Sequence, residues 1–211
     1  MSTVVFNRKG LLKAVLKQLK IDRHGVHGPG HWARVRYHAL MIGRTTGADL
    51  LVVELFAFLH DSRRLNEYKD PEHGSRAASY AKELNGAYFQ LSEEQIEKLC
   101  HAMTFHSDGG IHADSTIQTC WDADRLDLGR VGKKPKAQYL SKEVAKHIDS
   151  AYRWSLQSDP HSACRKGGHR AFRRTQGGRE GPARPSLQPE NAMPCPETPL
   201  YTRQNDLPLR S

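Results

Sequence analysis

The histidines and aspartates of this sequence fall largely at the ends of predicted helices, where their side chains could hold a metal ion. The chain has 12 histidines among its 211 residues, and many stand beside a glycine or a carboxylate. The most apolar predicted helix ends on His60-Asp61. An imidazole and a carboxylate together suit a divalent ion such as Mn, Fe, Co, Ni or Zn. Two adjacent residues cannot hold an ion alone, so further ligands must come from other helix ends, which can meet inside a helical bundle.

Helices are the elements that must position these residues. Apolar residues recur at helical spacing along the chain, and no alternating run is long enough for a sheet. The predicted helices cover about residues 11–19, 31–44, 50–60, 70–84, 92–106, 115–128 and 141–154. The segment 50–60 is short enough to be a strand, but Glu54, Ala57 and its leading leucines favour a buried helix. The fold class is therefore predicted to be all-α.

Local signals mark where several of these helices begin or end. Asp49 can cap the helix at 50–60. Asp70-Pro71 predicts a helix start with the Asp as N-cap and the Pro at the first helical position. Ser92-Glu-Glu-Gln95 has the form of a capping box. The segment 24–30 contains three glycines and Pro29, which predict an irregular loop.

Apolar periodicity stops near residue 156. Eight of the 11 prolines lie beyond that residue, and hydrophobic residues make up only 37% of the whole chain. A segment of such composition does not build a packed core. We therefore expect a helical domain over residues 1–156. Residues 157–211 are expected to be a disordered tail, or else non-native sequence such as a frameshifted end.

The net charge of +9 is shared between the two parts of the chain. The tail has nine Lys/Arg and five Asp/Glu, and the remainder has a similar positive excess. A mild positive charge suits a protein that handles phosphates, and it also suits weak nucleic-acid binding. The tail offers only Phe172 and Tyr201 for base stacking. Specific nucleic-acid binding is therefore not expected, and the charge alone is typical of a solvated basic surface.

The cysteines and the hydropathy point to a cytoplasmic protein. None of the four cysteines, Cys100, Cys120, Cys164 and Cys195, forms a CxxC pair, which fits free thiols in a reducing compartment. No apolar run approaches the ~20 residues of a membrane span. The N-terminal 20 residues scatter Lys and Arg through an amphipathic pattern, unlike a signal peptide. The sequence leaves the oligomeric state open, with a homodimer among the alternatives.

The order of four residues along the chain carries a family resemblance. His31-Trp-Ala-Arg-Val opens a predicted helix, Phe58-Leu-His-Asp61 closes one, and Trp121-Asp-Ala-Asp-Arg-Leu-Asp127 lies within one. This His…His-Asp…Asp order resembles the signature of the HD superfamily of metal-dependent phosphohydrolases. The resemblance covers roughly residues 20–150. It implies an HD-domain-like helical bundle.

The resemblance also implies a set of metal ligands, namely His31, His60, Asp61 and Asp124. Asp124 is preferred to Asp122 and Asp127 because its surroundings match the family's helix best. Asp122 points to another face of the helix, whereas Asp127 shares the face of Asp124 and could bind substrate or orient a ligand. The ordinary alternatives are that His31 caps a helix and that Asp124 pairs with Arg125 or Arg130.

Two further histidines raise the possibility of a second ion. Some HD enzymes hold two metals through extra histidines from the two helices after the His-Asp pair, and His73 and His106 match those positions. Both could instead contact a substrate phosphate. His101 is a weaker rival of His106 because it faces elsewhere on the helix. The other histidines before residue 157 are expected at the surface: His24, His27, His38, His112 and His147.

The implied chemistry is hydrolysis at phosphorus with one or two divalent ions, Mg among the candidates. A metal makes water nucleophilic and polarises the phosphoryl oxygen. Asp61 could accept the water proton, and Arg64 could stabilise the charge on the equatorial oxygens. The candidate substrate-binding residues are the arginines nearest the ligands: Arg63, Arg64, Arg76, Arg34 and also Arg125.

Missing motifs narrow the function. The sequence has no P-loop, no GxGxxG and no GxSxG. Ser107-Asp-Gly-Gly follows His106 in place of the Gly-Tyr-Pro motif of cyclic-dinucleotide phosphodiesterases. The favoured function is a phosphohydrolase that cleaves a phosphoester or phosphoanhydride of a nucleotide-like small molecule. A non-catalytic HD domain that binds or senses a nucleotide is the alternative.

Overall fold

A computed structural model describes residues 6–108 and 110–157, and helices dominate this part of the chain. The α-helices are α1 (Arg8–Lys17), α2 (Pro29–Thr46), α3 (Leu50–Leu59), α4 (His73–Leu84), α5 (Glu93–Phe105), α6 (Ser115–Leu126), α7 (Lys142–Ala145) and α8 (Ile148–Gln157). Two 3₁₀ turns cover Asp127–Val131 and Ala137–Tyr139. Among the described residues the β structure consists of one isolated bridge, between Asn85 and Phe89. The predicted all-α fold class is confirmed.

Helix α3 forms the centre of the bundle. Every residue from Val52 to Leu59 is buried, including Glu54, as expected of a helix that is apolar on all sides. It packs against α2, α5 and α6, while α4 packs against α5. Large core side chains fill the space between them, among them Trp32, Phe56, Phe89, Leu99 and Met103. The carboxyl end of α3 is thereby fixed between the ends of its neighbours.

Two of the predicted caps are confirmed and one is wrong. The Asp49 carboxylate accepts hydrogen bonds from the first turn of α3, and Ser92 and Gln95 form the capping box of α5. Asp70 does not cap α4, which begins at His73. Its carboxylate instead accepts from the Leu65 amide at 2.8 Å and pairs with Arg76 at 2.6 Å. Tertiary partners have taken the place of the local cap.

Helix boundaries also differ from the prediction elsewhere: α1 covers Arg8–Lys17 instead of 11–19. Pro29 is the first residue of α2 rather than part of the loop, a position where its missing N–H costs nothing. The helix expected to reach residue 128 ends at Leu126 and continues as a 3₁₀ turn. The helix predicted over 141–154 is divided into α7 and α8.

The expectations for the tail, including Cys164 and Cys195, fall on residues 158–211, which lie outside the described part of the chain. The boundary at residue 156 stays a prediction. Cys100 and Cys120 are free thiols. None of the described helices is long and apolar enough to cross a lipid bilayer.

Candidate metal centre

The six predicted metal ligands come together around the end of α3. His31 lies in the first turn of α2, and His60-Asp61 directly follow α3. His73 is the first residue of α4, His106 directly follows α5, and Asp124 lies in the last turn of α6. All six are buried or nearly so. Five helix termini therefore deliver one continuous cluster of imidazoles and carboxylates.

The first group of possible ligands consists of His31, His60 and Asp124, whose ligand atoms lie within 4.8 Å of one another. The Nε2 atoms of the two histidines are 3.0 Å apart. The Asp124 Oδ1 atom lies 3.3 Å from Nε2 of His31 and 3.8 Å from Nε2 of His60. That oxygen is buried and has no hydrogen-bond partner.

The second group consists of Asp61, His73 and His106. The Nε2 atoms of these histidines are 2.9 Å apart, and Asp61 Oδ1 lies 3.2 Å from Nε2 of His73. The other oxygen of the same carboxylate, Oδ2, lies 3.4 Å from Nε2 of His60. Asp61 thus stands between the two groups and presents one oxygen to each, which is the arrangement needed to bridge two ions.

The hydrogen bonds made by each Nδ1 atom determine whether the Nε2 atom of the same ring has a free lone pair. The Nδ1 atoms of the four histidines lie 2.5–3.0 Å from oxygen atoms that can only accept: a carboxylate oxygen of Asp127 and the carbonyls of Phe56, Asp70 and Met103. Each Nδ1 therefore carries a hydrogen, and Nε2 of a neutral ring presents a lone pair. Two lone pairs about 3 Å apart repel unless a proton, a hydrogen-bond donor or a metal ion lies beside them. Two neighbouring ligands at ~2.1 Å from a six-coordinate ion have a similar separation, so the donor set fits a divalent metal.

The electrostatics of the cluster also favour a cation. Burial alone would raise the pKa of Asp61 and of Asp124, but the neighbouring imidazoles outweigh it and hold both well below their usual range. Burial and the Arg130 charge disfavour a proton on His31, yet its carboxylate neighbours raise its pKa to about 9. Burial and the His60 imidazole lower the pKa of His106 to about 4. The carboxylates of the cluster therefore require positive charge beside them.

Asp127 contacts a possible ligand and does not line the pocket, which favours the ligand-orienting role over substrate binding. Its carboxylate is fully buried, accepts from His31 Nδ1 at 2.7 Å and accepts from Arg34 at 2.6 and 3.1 Å. This carboxylate–imidazole contact sets the ring orientation and makes Nε2 a better donor to metal. Asp122 lies on another face, as expected, and accepts from Gln118 and Ser141.

A pocket of about 280 Å³ opens onto Asp61, Asp124 and His106. Its other walls are formed by cationic, polar and apolar side chains: His27, Arg64, Ser107, Arg125, Leu128, Arg130, Lys136 and Tyr139. The Nη2 atom of Arg125 is buried and has no hydrogen-bond partner. The pocket therefore offers an anionic ligand cationic side chains close to the possible metal ligands.

Three arginines predicted to bind substrate do not line this pocket. Arg63 donates to Gln18 and lies over the Tyr80 ring at 5.0 Å. Arg76 pairs with Asp70, and Arg34 pairs with Asp127. These guanidinium groups hold loops and ligands in place, because each has a carboxylate, carbonyl or aromatic partner within the fold. Arg64 and Arg125 are the predicted arginines that do line the pocket.

Two cations and one aromatic ring of the pocket were not among the predicted site residues. Arg130, Lys136 and Tyr139 follow α6 on a 3₁₀ turn and its connection to α7, where no periodic pattern predicts which way a side chain points. The sequence offers Arg130 as an alternative partner of Asp124, and its Nη2 atom does lie 3.9 Å from that carboxylate. The closeness of Arg130 to Asp124 along the chain is the one feature of the sequence that indicates its place in the site.

Two of the histidines expected at the surface, His27 and His38, are not exposed, and His112 is half-buried beside His101 and Trp121. His27 lines the pocket, where its Nδ1 lies 2.6 Å from Glu67, and burial lowers its pKa to about 3. His38 is only 3% exposed and packs against Trp154. His24 and His147 are exposed as expected. His101 faces away from the centre and packs beside Phe105, His112 and Trp121, as its helical position indicated.

Comparison with known proteins identifies the fold. No protein-family model and no curated protein matches the sequence. Among solved structures, a predicted HD superfamily hydrolase from an uncultured Thermotogales bacterium matches with a TM-score of 0.54 and 22% sequence identity. The match covers 76% of this chain and 94% of that protein. The chain has the HD-domain fold. The HD-domain-like bundle expected from the His…His-Asp…Asp order is therefore confirmed, and the chemistry must be argued from the site itself.

Proposed function

We propose that this HD-domain protein is a metal-dependent phosphohydrolase that uses activated water to cleave a phosphoester or phosphoanhydride of a nucleotide-like small molecule. One observation carries the proposal. Two pairs of histidine Nε2 atoms, 3.0 and 2.9 Å apart, flank the Asp61 carboxylate at the floor of a cation-lined pocket. The pocket thus combines a place for one or two divalent ions with a wall suited to phosphate.

The ligand set proposed for the ions is His31, His60, Asp61 and Asp124 for the first and Asp61, His73 and His106 for the second. A divalent ion held there supplies Lewis-acid chemistry, making water more acidic and polarising a phosphoryl oxygen. Imidazole and carboxylate donors fit Mn, Fe, Co, Ni, Zn or Mg and do not choose among them. The roles of the chain's own residues can be stated more closely.

Asp61 and the pocket cations have different proposed roles in the reaction, one toward the water and the other toward the phosphoryl group. Asp61 lines the pocket and stays charged at neutral pH because its pKa is held low, so it can accept a hydrogen bond from the attacking water and orient it. Arg64, Arg125 and Lys136 stand where they can stabilise the negative charge on phosphoryl oxygens. The unpartnered Nη2 of Arg125 supports such a contact, since a buried donor without an acceptor is costly.

The dimensions of the pocket support a small substrate. A volume of about 280 Å³ is at the lower end for ligand pockets and suits one nucleotide-sized unit better than a dinucleotide. Tyr139 offers an aromatic ring on the pocket wall, where a base or sugar could pack. A nucleotide-like phosphate is therefore the substrate class we propose.

Phosphate release from a panel of nucleoside mono-, di- and triphosphates and sugar phosphates tests this function. The protein is first stripped with a chelator and then reloaded with Mn²⁺ or Co²⁺. We expect release that requires metal and disappears in Asp61→Asn but persists in Asp122→Asn, which alters a buried carboxylate outside the pocket. Tight nucleotide binding without turnover would favour the non-catalytic alternative. The absence of both binding and turnover would refute the proposal.

A further inference from the structure

The guanidinium group of Arg64 enters the second group of possible ligands. Its Nη1 atom lies 3.2 Å from Nε2 of His73 and 3.3 Å from Oδ1 of Asp61. Both of these atoms are possible ligands of a second ion, to which each would offer a lone pair. Arginine offers only hydrogen-bond donors and keeps its charge at all physiological pH values. A permanent positive charge therefore lies against this group.

Backbone carbonyls hold Arg64 in that position. Its Nη2 donates to the Tyr68 carbonyl at 2.7 Å, and its Nε donates to the Asn66 carbonyl at 3.4 Å. The side chain is only 9% exposed. The loop that follows α3 thus fastens the guanidinium beside His73, and the group cannot leave without giving up these bonds.

The first group has a different charge balance. Arg130 lies 3.9 Å from Asp124 through Nη2, while its Nε donates to the Val26 carbonyl and its Nη1 to the Asp127 carbonyl. Asp124 and the shared Asp61 both face this group, and the Asp127 carboxylate stands behind His31. The second group has Asp61 as its one carboxylate, and the Nδ1 atoms of its histidines face neutral carbonyls.

We propose that Arg64 competes with a divalent ion for the second group, so that the protein binds one ion tightly at His31, His60 and Asp124 and a second ion weakly. Like charges a few ångströms apart repel strongly in a buried site. A divalent ion beside His73 must therefore approach the fixed guanidinium or displace it. The inference rests on the metal centre of the proposed function and assigns Arg64 the role of setting how many ions are bound.

Equilibrium dialysis of the full chain against Mn²⁺, with elemental analysis of the retained metal, tests this inference. We expect the wild-type protein to bind a first ion at least tenfold more tightly than a second. In Arg64→Gln the dissociation constant of the second ion should fall by tenfold or more, while that of the first stays within about threefold. Arg63→Gln is the matched control, because its guanidinium lies over Tyr80, and it should leave both constants unchanged. Circular dichroism checks that each variant is folded.

Arg64→Lys separates charge from shape. It keeps a cation beside the second group, so its second ion should bind nearly as weakly as in the wild type. Two equal sites in the wild type, an unchanged second constant in Arg64→Gln, or equal tightening in the Lys and Gln variants would each overturn the inference while leaving the first site intact. Absence of any bound ion in the wild type would overturn the proposed metal centre itself.

Discussion

Asp127→Asn is the substitution whose effect the structure defines most closely. Asp127 is fully buried, binds no ion in the proposed site, and touches that site through the Nδ1 atom of His31 at 2.7 Å. The amide nearly preserves the shape of the side chain but removes its charge. His31 then loses the carboxylate that orients its ring and strengthens Nε2 as a donor, and Arg34 loses a two-bond ion pair.

The expected losses of metal affinity and of folding stability can each be given a magnitude. Loss of a carboxylate that supports a ligating histidine weakens metal binding by about 10- to 100-fold, which corresponds to about 1.4–2.8 kcal/mol. Burial alone would raise the pKa of Asp127, but His31 and Arg34 outweigh it and lower it to about 2. The difference from its ordinary value corresponds to about 2.5 kcal/mol of folding stability at neutral pH, present above the unfolded pKa and lost as the pH falls toward 2.

The assay compares two buried aspartates of the same region. Mn²⁺ affinity by titration calorimetry and urea unfolding are measured for the wild type, Asp127→Asn and Asp122→Asn. Asp122 is also buried and hydrogen-bonded, through Gln118 and Ser141, but it does not reach a metal ligand. We expect Asp127→Asn to lose both stability and affinity, and Asp122→Asn to keep its affinity. Equal affinity losses in the two variants, or none in Asp127→Asn, would refute the role given to Asp127.

Three further perturbations test other parts of the account. His38→Phe should flatten the pH dependence of the free energy of unfolding. Burial lowers the pKa of His38 to about 4, so the neutral imidazole is compatible with the fold and its contribution is complete above about pH 6.5. By pH 5 the wild-type protein should lose about 2 kcal/mol, because the unfolded chain then binds a proton that the fold excludes. Urea unfolding of the variant and wild type at pH 7.5 and 5 measures that difference, and equal slopes would contradict it. Gly74→Ala places a methyl group 2.2 Å from a backbone carbonyl of the facing helix; we expect a loss of about 1–3 kcal/mol and weakened binding of the second ion, because His73 and His106 move apart. Lys136→Ala should raise KM for a phosphorylated substrate by about tenfold with metal content unchanged, and a fall in kcat alone would contradict its role as a phosphate contact.

Local signals in the sequence predicted much of the fold, because they act within one turn of the chain. The apolar segment 50–60 and the caps at Asp49 and Ser92 form as expected, since each depends on residues that are adjacent in sequence. The cap expected at Asp70 fails because Arg76 and the Leu65 amide compete for the same carboxylate. Such competition depends on tertiary contacts that no local pattern contains.

In the site, too, residues at the ends of helices were predicted correctly, whereas the side chains of the connecting turns were not. The six possible ligands were found because the order and helical setting of His31, His60-Asp61 and Asp124 follow a known pattern. The arginines were harder to place. Arg63 and Arg64 are neighbours with the same chemistry, yet one lies over Tyr80 and the other reaches His73. In a turn, a difference of one position decides the side to which a side chain points, and the sequence carries no period to reveal it.

Elemental analysis of the purified full chain after loading with Mn²⁺ or Co²⁺ and removal of free ion tests the central claim most directly. His60→Ala removes a proposed ligand of the first group, and His101→Ala removes a histidine that packs away from it. The account predicts at least one retained ion per chain in the wild type and in His101→Ala, and none at the first site in His60→Ala. A wild-type protein that retains no metal under any loading condition, or a His60→Ala variant that retains as much as the wild type, would contradict it.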